Sequence, residues 1–375
     1  MKYERVFLFV LDSLGIGNAP DAADFGDEGS NTLKSVAETG ILKAPNLRKL
    51  GLFNIEGAGW CRRAVVPVAS YGRCFELSKG KDTTVGHFEI AGIISERPFP
   101  TYPNGFPEEL MKKITDEWGI GYLCNRPYSG TEVIKEYGKE HIETGKPIVY
   151  TSADSVFQIA AHESVISTER LYELCRIARA HLDGENRVAR VIARPFTGEY
   201  PDYVRTQNRH DYSVKPTRGY LLDKLAAAGY DVIGVGKIGD IFAGEGITQS
   251  YPVKGNKSVA EAVSEIAKRS FHGLCFANFV DFDMLYGHRN DADGYASALS
   301  NFDLWLGKFM SELKSGDLLI ITADHGCDPK TPSTDHSREA VPLLVYAENL
   351  ASVNLETIYG FDKIGIIAAD ALGMH

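Results

Sequence analysis

The sequence predicts an α/β fold, a mostly parallel sheet flanked by helices and interrupted by a small inserted α/β unit, on three observations. Short apolar runs at residues 6–11, 232–235, 274–280, 318–322 and 343–346, most of them with β-branched or aromatic residues, have the pattern of strands buried on both faces. Helical segments separate several of these runs, and that alternation implies βαβ units. The texture changes near the stretch Arg97-Pro98-Phe99-Pro100-Thr101-Tyr102-Pro103 and changes back at about Lys215-Pro216. These boundaries predict a discontinuous core, residues 1–97 and 216–375, and an inserted domain, residues 98–215.

The run at 6–11 ends on Asp12 and is too short for a membrane span or for the apolar part of a secretory signal. In the insert, Glu108–Trp118 and 168–182 read as helices, the second with Leu171, Leu174, Cys175 and Ala178 on one face, and Ile148–Thr151 and 188–193 read as strands. Ser258 followed by Glu261 predicts a capping box, after which Val259, Val263 and Ile266 share a helix face. Phe302, Trp305, Phe309 and Leu313 form a second stripe before the run at 318.

With 375 residues, 44% hydrophobic and 24% charged, the chain is globular, which excludes disordered and fibrous classes. Forty Lys+Arg against fifty Asp+Glu give a net charge of -10. Such a field repels nucleic acid and anionic membrane surfaces, so neither is expected as a partner, and any phosphate is bound locally. Six cysteines without a C-x-x-C spacing fit free thiols and a cytoplasmic location.

Ligands of an open parallel sheet bind beyond the carboxyl ends of its strands. Three runs end in metal-binding side chains: the first in Asp12, the third in Asp281, Asp283 and then His288, the fourth in Asp324-His325 with Asp335-His336 eleven residues on. A single Asp after a strand is more often a turn or cap residue, and a single His more often a satisfied polar group. The three clusters together are what point to metal. So large a set of oxygen and nitrogen donors exceeds the needs of one ion and implies two, manganese being the first choice with magnesium and zinc also suited. Gly80-Lys81-Asp82-Thr83-Thr84-Val85-Gly86-His87 would place a hydroxyl at a helix N-terminus, making Thr83 or Thr84 a candidate nucleophile, unless the threonine is only an N-cap. Arg194, Arg209 and Lys237 are candidate phosphate contacts.

The segment from Val10-Leu11-Asp12-Ser13-Leu14-Gly15 to Asn18-Ala19-Pro20-Asp21-Ala22, the Gly-Lys-Asp-Thr loop ending in Gly86-His87, Asp281-Phe282-Asp283 leading to Tyr286-Gly287-His288-Arg289, and Thr322-Ala323-Asp324-His325-Gly326 with Thr334-Asp335-His336 closely resemble phosphopentomutases, a family of the alkaline phosphatase superfamily. Ser152-Ala153-Asp154-Ser155-Val156-Phe157-Gln158, Ala193-Arg194-Pro195-Phe196 and Gly236-Lys237-Ile238 extend the likeness over nearly the whole chain.

The resemblance implies an alkaline-phosphatase-like core with an inserted cap and an isomerase that interconverts ribose 1-phosphate and ribose 5-phosphate, and the 2-deoxyribose pair, through a phosphothreonine. Matched by motif, Thr83 would be the nucleophile, since the family's reactive Thr follows Lys-Asp. One manganese would be held by Asp12, Asp324, His325 and Thr83, the other by Asp283, His288 and His336. Ser152, Asp154, Arg194 and Arg209 of the cap and Lys237 of the core would contact sugar and phosphate. A trace of sugar bisphosphate, glucose 1,6-bisphosphate or ribose 1,5-bisphosphate, would prime the enzyme, and a monomer is the favoured state. Phe88, Ser333, Ser337 and the bulky basic stretch from Cys124 to Glu132 depart from the family's pattern and bear on pentose preference. The alternatives are a phosphatase or phosphodiesterase of the same superfamily, or a related phosphosugar mutase. A protein that only binds metal or phosphosugar ranks below these, because no candidate ligand is replaced by an apolar residue.

Overall fold

All seven residues of strand β1 (Arg5–Leu11) are buried, as expected of a strand inside a sheet covered on both faces. The structure, a computed structural model, describes residues 3–152 and 155–374. The chain divides into two compact units, one formed by residues up to Arg97 together with those from Pro216 on, the other by Pro98–Lys215. After β1 comes β2 (Ser70–Phe75), then in the second unit β3 (Leu123–Pro127), β4 (Ile148–Thr151), β5 (Val156–His162), β6 (Arg190–Thr197), β7 (Val204–Arg205) and β8 (His210–Ser213). The first unit resumes with β9 (Asp231–Val235), β10 (Gln249–Tyr251), β11 (Gly273–Phe279), β12 (Asp317–Thr322), β13 (Val341–Tyr346) and β14 (Asn354–Tyr359).

The first unit holds an eight-stranded sheet in the order β10-β9-β11-β1-β12-β13-β2-β14. From β10 to β12 every pair is parallel. β13 then runs antiparallel to both β12 and β2, and β14 is parallel to β2. The five apolar runs read from the sequence are β1, β9, β11, β12 and β13. Of the three strands without such a run, β10 forms one edge of the sheet and β2 and β14 lie at the other side, where the β14 residues are exposed or half-buried. The helix Ala292–Glu312 buries Phe302 and Phe309, and Trp305 stacks among Phe9, Phe279 and Phe309.

The expected capping box does not form. The helix Asn256–Lys268 starts two residues before Ser258, on Gly255, with no side-chain cap from its own N-cap residue. The Asp281 carboxylate accepts from the Asn256 N–H at 2.7 Å, and the Asn256 side chain accepts from the Asp281 N–H at 3.0 Å. A side chain from the end of β11 therefore caps this helix, and Val259, Val263 and Ile266 form its buried face.

The second unit is a six-stranded mixed sheet, ordered β3-β4-β5-β6-β7 with β8 also paired to β6. Alternate residues of β5 serve two cores, as the pleat requires. Phe157, Ile159 and Ala161 pack with the helices Glu108–Trp118 and Thr168–His181, while Ala160 packs with Val133 and Ile134 of the helix Glu132–Thr144. The strand expected at 188–193 starts at Arg190 and continues to Thr197. Among the described residues of either unit, no helix is long and apolar enough to cross a membrane.

Candidate metal centre

Four segments of the first unit deliver side chains to one rim of its sheet. Asp12 follows β1 directly, and the next residue, Ser13, turns the chain with φ 68° and donates its N–H to Asp324 Oδ1 at 3.1 Å. After β11, a short π-helical turn (Phe282–Tyr286) buries Asp283, and the 3-10 turn Gly287–Arg289 presents His288. After β12 come Asp324 and His325, and a two-residue bridge between Gly326 and Ser337 folds the connection back so that His325 and His336 stack with ring centroids 3.9 Å apart.

The fourth segment is the helix Thr83–Ile90. Asp82 is its N-cap, accepting from the Thr84 and Val85 N–H groups at 3.0 and 3.2 Å, so Thr83 is the first helical residue and not the cap. Thr84 is buried, whereas half-buried Thr83 places Oγ1 3.1 Å from His325 Nε2. Of the two threonines, Thr83 is the one beside a candidate ligand. The helix can come this close because Gly86 has no side chain, and a Cβ there would lie 2.2 Å from the Asp324 carbonyl oxygen.

Three overlapping donor groups result. Asp12, Asp324 and His325 form one, with His325 Nε2 3.4 Å from both Asp12 Oδ1 and Asp324 Oδ2. Asp283 forms another with His325 and His336, and also one with His288 and Cys327, each set of ligand atoms lying within 4.8 Å of one another. His288 Nε2 is 3.1 Å from Asp283 Oδ2 and 3.1 Å from His336 Nε2. His288 Nδ1 lies 2.7 Å from the Thr334 carbonyl and His325 Nδ1 3.0 Å from the Gly326 carbonyl. Each contact fixes the proton on Nδ1 and leaves Nε2 free to ligate, the usual support of a metal-binding imidazole.

The charges here are unbalanced. Burial and then the Asp324 charge push the Asp12 carboxyl up. Burial opposes ionisation of Asp283 and Asp324, yet the facing imidazoles hold Asp283 well below the usual carboxylate range and His325 with His87 hold Asp324 below it. His288 is raised to about 9 by Asp283 despite its burial, and His325 is raised well above the usual value by Asp324 and Asp12. Asp12 Oδ1, Asp283 Oδ1 and Asp324 Oδ2 are buried without a hydrogen-bond donor. Three carboxylate oxygens without a hydrogen-bond donor, facing imidazole nitrogens, form a donor set suited to divalent cations.

Asp281 and Asp335, counted among the sequence's carboxylate candidates, do other work. Asp281 caps the helix Asn256–Lys268, and Asp335 accepts from the His336 N–H at 2.8 Å and faces Lys81 at 3.7 Å. Lys237 follows β9, half-buried, in a loop whose Gly236 packs on the Asn278 carbonyl at the end of β11. In the second unit, Ser152 follows β4 directly and Asp154 lies outside the described residues. Half-buried Arg194 of β6 donates to Gln158, and Arg209 forks onto Asp211 at 2.7 and 2.6 Å. Burial, then the Arg209 and Arg205 charges, lower Arg194 to about 10 against the opposing Tyr150 and Asp211.

Sequence reasoning missed three residues that complete the centre. His87, one turn after Thr83 and fully buried, puts Nδ1 2.9 Å from the Thr83 carbonyl and 3.1 Å from Asp324 Oδ2. Asn278, the polar residue inside the otherwise apolar run of β11, donates to Asp12 Oδ2 at 2.9 Å. Buried Glu339 accepts from the Gly17 and Thr32 N–H groups and from the Thr32 and Ser337 hydroxyls, joining the β1 loop to the last ligand loop. An i, i+4 partner of the candidate threonine and a lone amide in a buried strand were the available signals for the first two.

A profile of the metalloenzyme superfamily matches residues 4–375, in agreement with donor groups suited to divalent metal. The chain is 58% identical over 364 residues to a phosphopentomutase of Lachnoclostridium phytofermentans, covering 96% of this chain and 93% of that protein. It is 54% identical over 374 residues to one of Carboxydothermus hydrogenoformans, covering 99% and 96%. The PH0037 protein from Pyrococcus horikoshii shares the fold with a TM-score of 0.51 at 16% identity, over 99% of this chain and 98% of that one. On identity sustained over nearly the whole length, the chain belongs to the phosphopentomutase family within the metalloenzyme superfamily.

Proposed function

We propose that this chain interconverts ribose 1-phosphate and ribose 5-phosphate, and the 2-deoxyribose pair, by phosphoryl transfer through a phosphothreonine on Thr83. The observation that carries the reading is the position of Thr83 Oγ1, at the first turn of a helix and 3.1 Å from the His325 imidazole, which belongs to two of the donor groups. Asp12, Asp324 and His325, with Thr83, would hold one ion, and Asp283, His288 and His336 the other, manganese suiting this mixture of carboxylate and imidazole. When bound, two divalent ions supply activation of the hydroxyl and neutralise the transferring phosphoryl group.

The chain's own residues do the rest. The N–H groups at the start of the helix Thr83–Ile90 favour an anion on Thr83. His87 and Asp82 hold the threonine in line, and Lys237 supplies a cation from the neighbouring strand end. Phosphorylated Thr83 passes its phosphoryl group to the free hydroxyl of a pentose monophosphate. The resulting bisphosphate turns over and returns its other phosphoryl group to Thr83, so a trace of ribose 1,5-bisphosphate or glucose 1,6-bisphosphate primes the cycle. Residues 98–215 act as a cap whose Ser152, Asp154, Arg194 and Arg209 bind sugar and phosphate and exclude water, which separates a mutase from a phosphatase. The proximity of Arg194, Arg205 and Arg209 supports this role. The six free cysteines support a cytoplasmic location, and the enzyme acts on small pentose phosphates.

A phosphorus NMR time course with manganese, a trace of glucose 1,6-bisphosphate and ribose 1-phosphate tests the reading beside Thr83→Ala. Conversion to ribose 5-phosphate without free phosphate, and a silent variant, are expected. Accumulating inorganic phosphate would identify a phosphatase instead, and an active Thr83→Ala protein would remove the nucleophile assignment.

A further inference from the structure

Arg338 is two residues beyond His336 and 1% exposed, in a part of the site that no ligand assignment reaches. All five of its guanidinium N–H donors are used. Nε and Nη2 donate to the two Asp21 oxygens at 3.1 and 3.0 Å, Nη1 to Glu76 Oε2 and to the Gly80 carbonyl at 2.7 Å, and Nη2 to the Glu76 carbonyl at 2.8 Å. The Phe25 ring lies against its flat face at 4.9 Å. Two of these acceptors are main-chain carbonyls of the segment that runs from the end of β2 into Asp82 and Thr83.

A second set of bonds runs the other way. The Arg338 N–H donates to Asp27 Oδ2 at 2.8 Å, and the same carboxylate takes Lys81 Nζ at 3.0 Å. Lys81 also reaches Asp335 at 3.7 Å. A cation from the last ligand segment thus holds the nucleophile loop, and a cation from the nucleophile loop holds the last ligand segment, with Asp27 between them.

We propose that Arg338 is a positioning residue for phosphoryl transfer, its planar fork fixing the loop at Glu76 to Thr83 against the segment that carries His336. This rests on Thr83 being the nucleophile. Arg338 touches neither substrate nor metal ligand; it acts by holding the hydroxyl and the donor group of His336 at one separation. A lysine keeps the charge but offers three donors from one point and cannot span two carboxylates and two carbonyls. A misplacement of about 1 Å costs roughly 10²-fold in rate.

The control is Arg5, which is equally buried and forks onto Asp317 at 2.7 and 2.6 Å at the opposite end of the sheet. Arg338→Lys and Arg5→Lys are compared with wild type by mutase turnover, thermal midpoint and metal content, all on metal-loaded enzyme. Arg338→Lys is expected to lose about 10²-fold in kcat with KM within threefold and metal content unchanged, while Arg5→Lys lowers the midpoint and keeps kcat. The milder Asp21→Asn, which removes one partner of the fork, should lower kcat about tenfold if the lysine variant does not fold.

An Arg338→Lys or Asp21→Asn enzyme with kcat within threefold of wild type overturns the proposal. So does a loss of kcat that merely follows the thermal midpoint in both arginine variants, which would make Arg338 a packing residue only. Absence of mutase turnover in the wild type is a different outcome and overturns the Thr83 reading itself.

Discussion

Strands β1 and β12 run side by side, and charged groups join them at both ends with opposite logic. At the amino end, Arg5 forks onto Asp317 and gives further N–H groups to the Ala267 and Arg269 carbonyls. At the carboxyl end, Asp12 and Asp324 face each other across His325, with one oxygen of each lacking any hydrogen-bond donor. Burial does not distinguish the ends, since Arg5, Asp317, Asp12 and Asp324 are 3%, 2%, 1% and 0% exposed. Buried charge holds the fold together when its partners are built in. Where they are left for an incoming cation, the same burial is a cost the fold carries for function.

Exchanging the character of the two ends tests the contrast. Asp12→Asn should lower kcat by about 10⁴-fold, the loss of several kcal/mol of transition-state charge stabilisation. Because burial and Asp324 raise the Asp12 carboxyl, its ionised form weakens the metal-free fold at neutral pH, and the variant should unfold at higher urea than chelated wild type. A lower midpoint would contradict the reading.

Asp317→Asn, at the other end, should cost roughly 3–5 kcal/mol by leaving Arg5 buried without its counter-charge. Activity per folded molecule should stay within twofold, measured as kcat after correcting for the folded fraction. The third effect is smaller and sharpens the metal end alone. His288 sits at about 9 in the metal-free protein because of Asp283, and it must be neutral to ligate. Metal binding therefore displaces a proton below that value, and because the raised His325 must lose its proton as well, affinity should rise at least tenfold per pH unit up to about pH 9. Competition with a chromophoric chelator between pH 7 and 10 reads this directly, and a flat profile would contradict it.

Much of the core was legible because β1, β9, β11, β12 and β13 are buried on both faces and so appear as unbroken apolar runs. β14 carries Glu356 and exposed Tyr359 at a sheet edge, and nothing in its composition separates it from a loop. At Ser258 a local motif lost to a tertiary partner, the Asp281 carboxylate, which a linear sequence does not place beside Asn256. The same limit governs the site. Asp12, Asp283 and Asp324 were visible as acids at strand ends, but which acids converge depends on side-chain direction, and Asp281 and Asp335 turn to backbone partners instead. His87 and Glu339 act through bonds to residues more than 200 positions away, a separation that no spacing rule captures.

The antiparallel course of β13 has a consequence for where ligands can come from. A parallel crossover carries the chain to the opposite end of the sheet before the next strand begins, so only its first residues pass the carboxyl rim. Between β12 and β13 the chain leaves and re-enters the sheet at the same rim, and both shoulders of one connection stand over it. Asp324 and His325 occupy the first shoulder and His336 the second, with the Gly326 and Ser337 bridge drawing them together. The single reversal in an otherwise parallel run of strands lets one connection address more than one donor group.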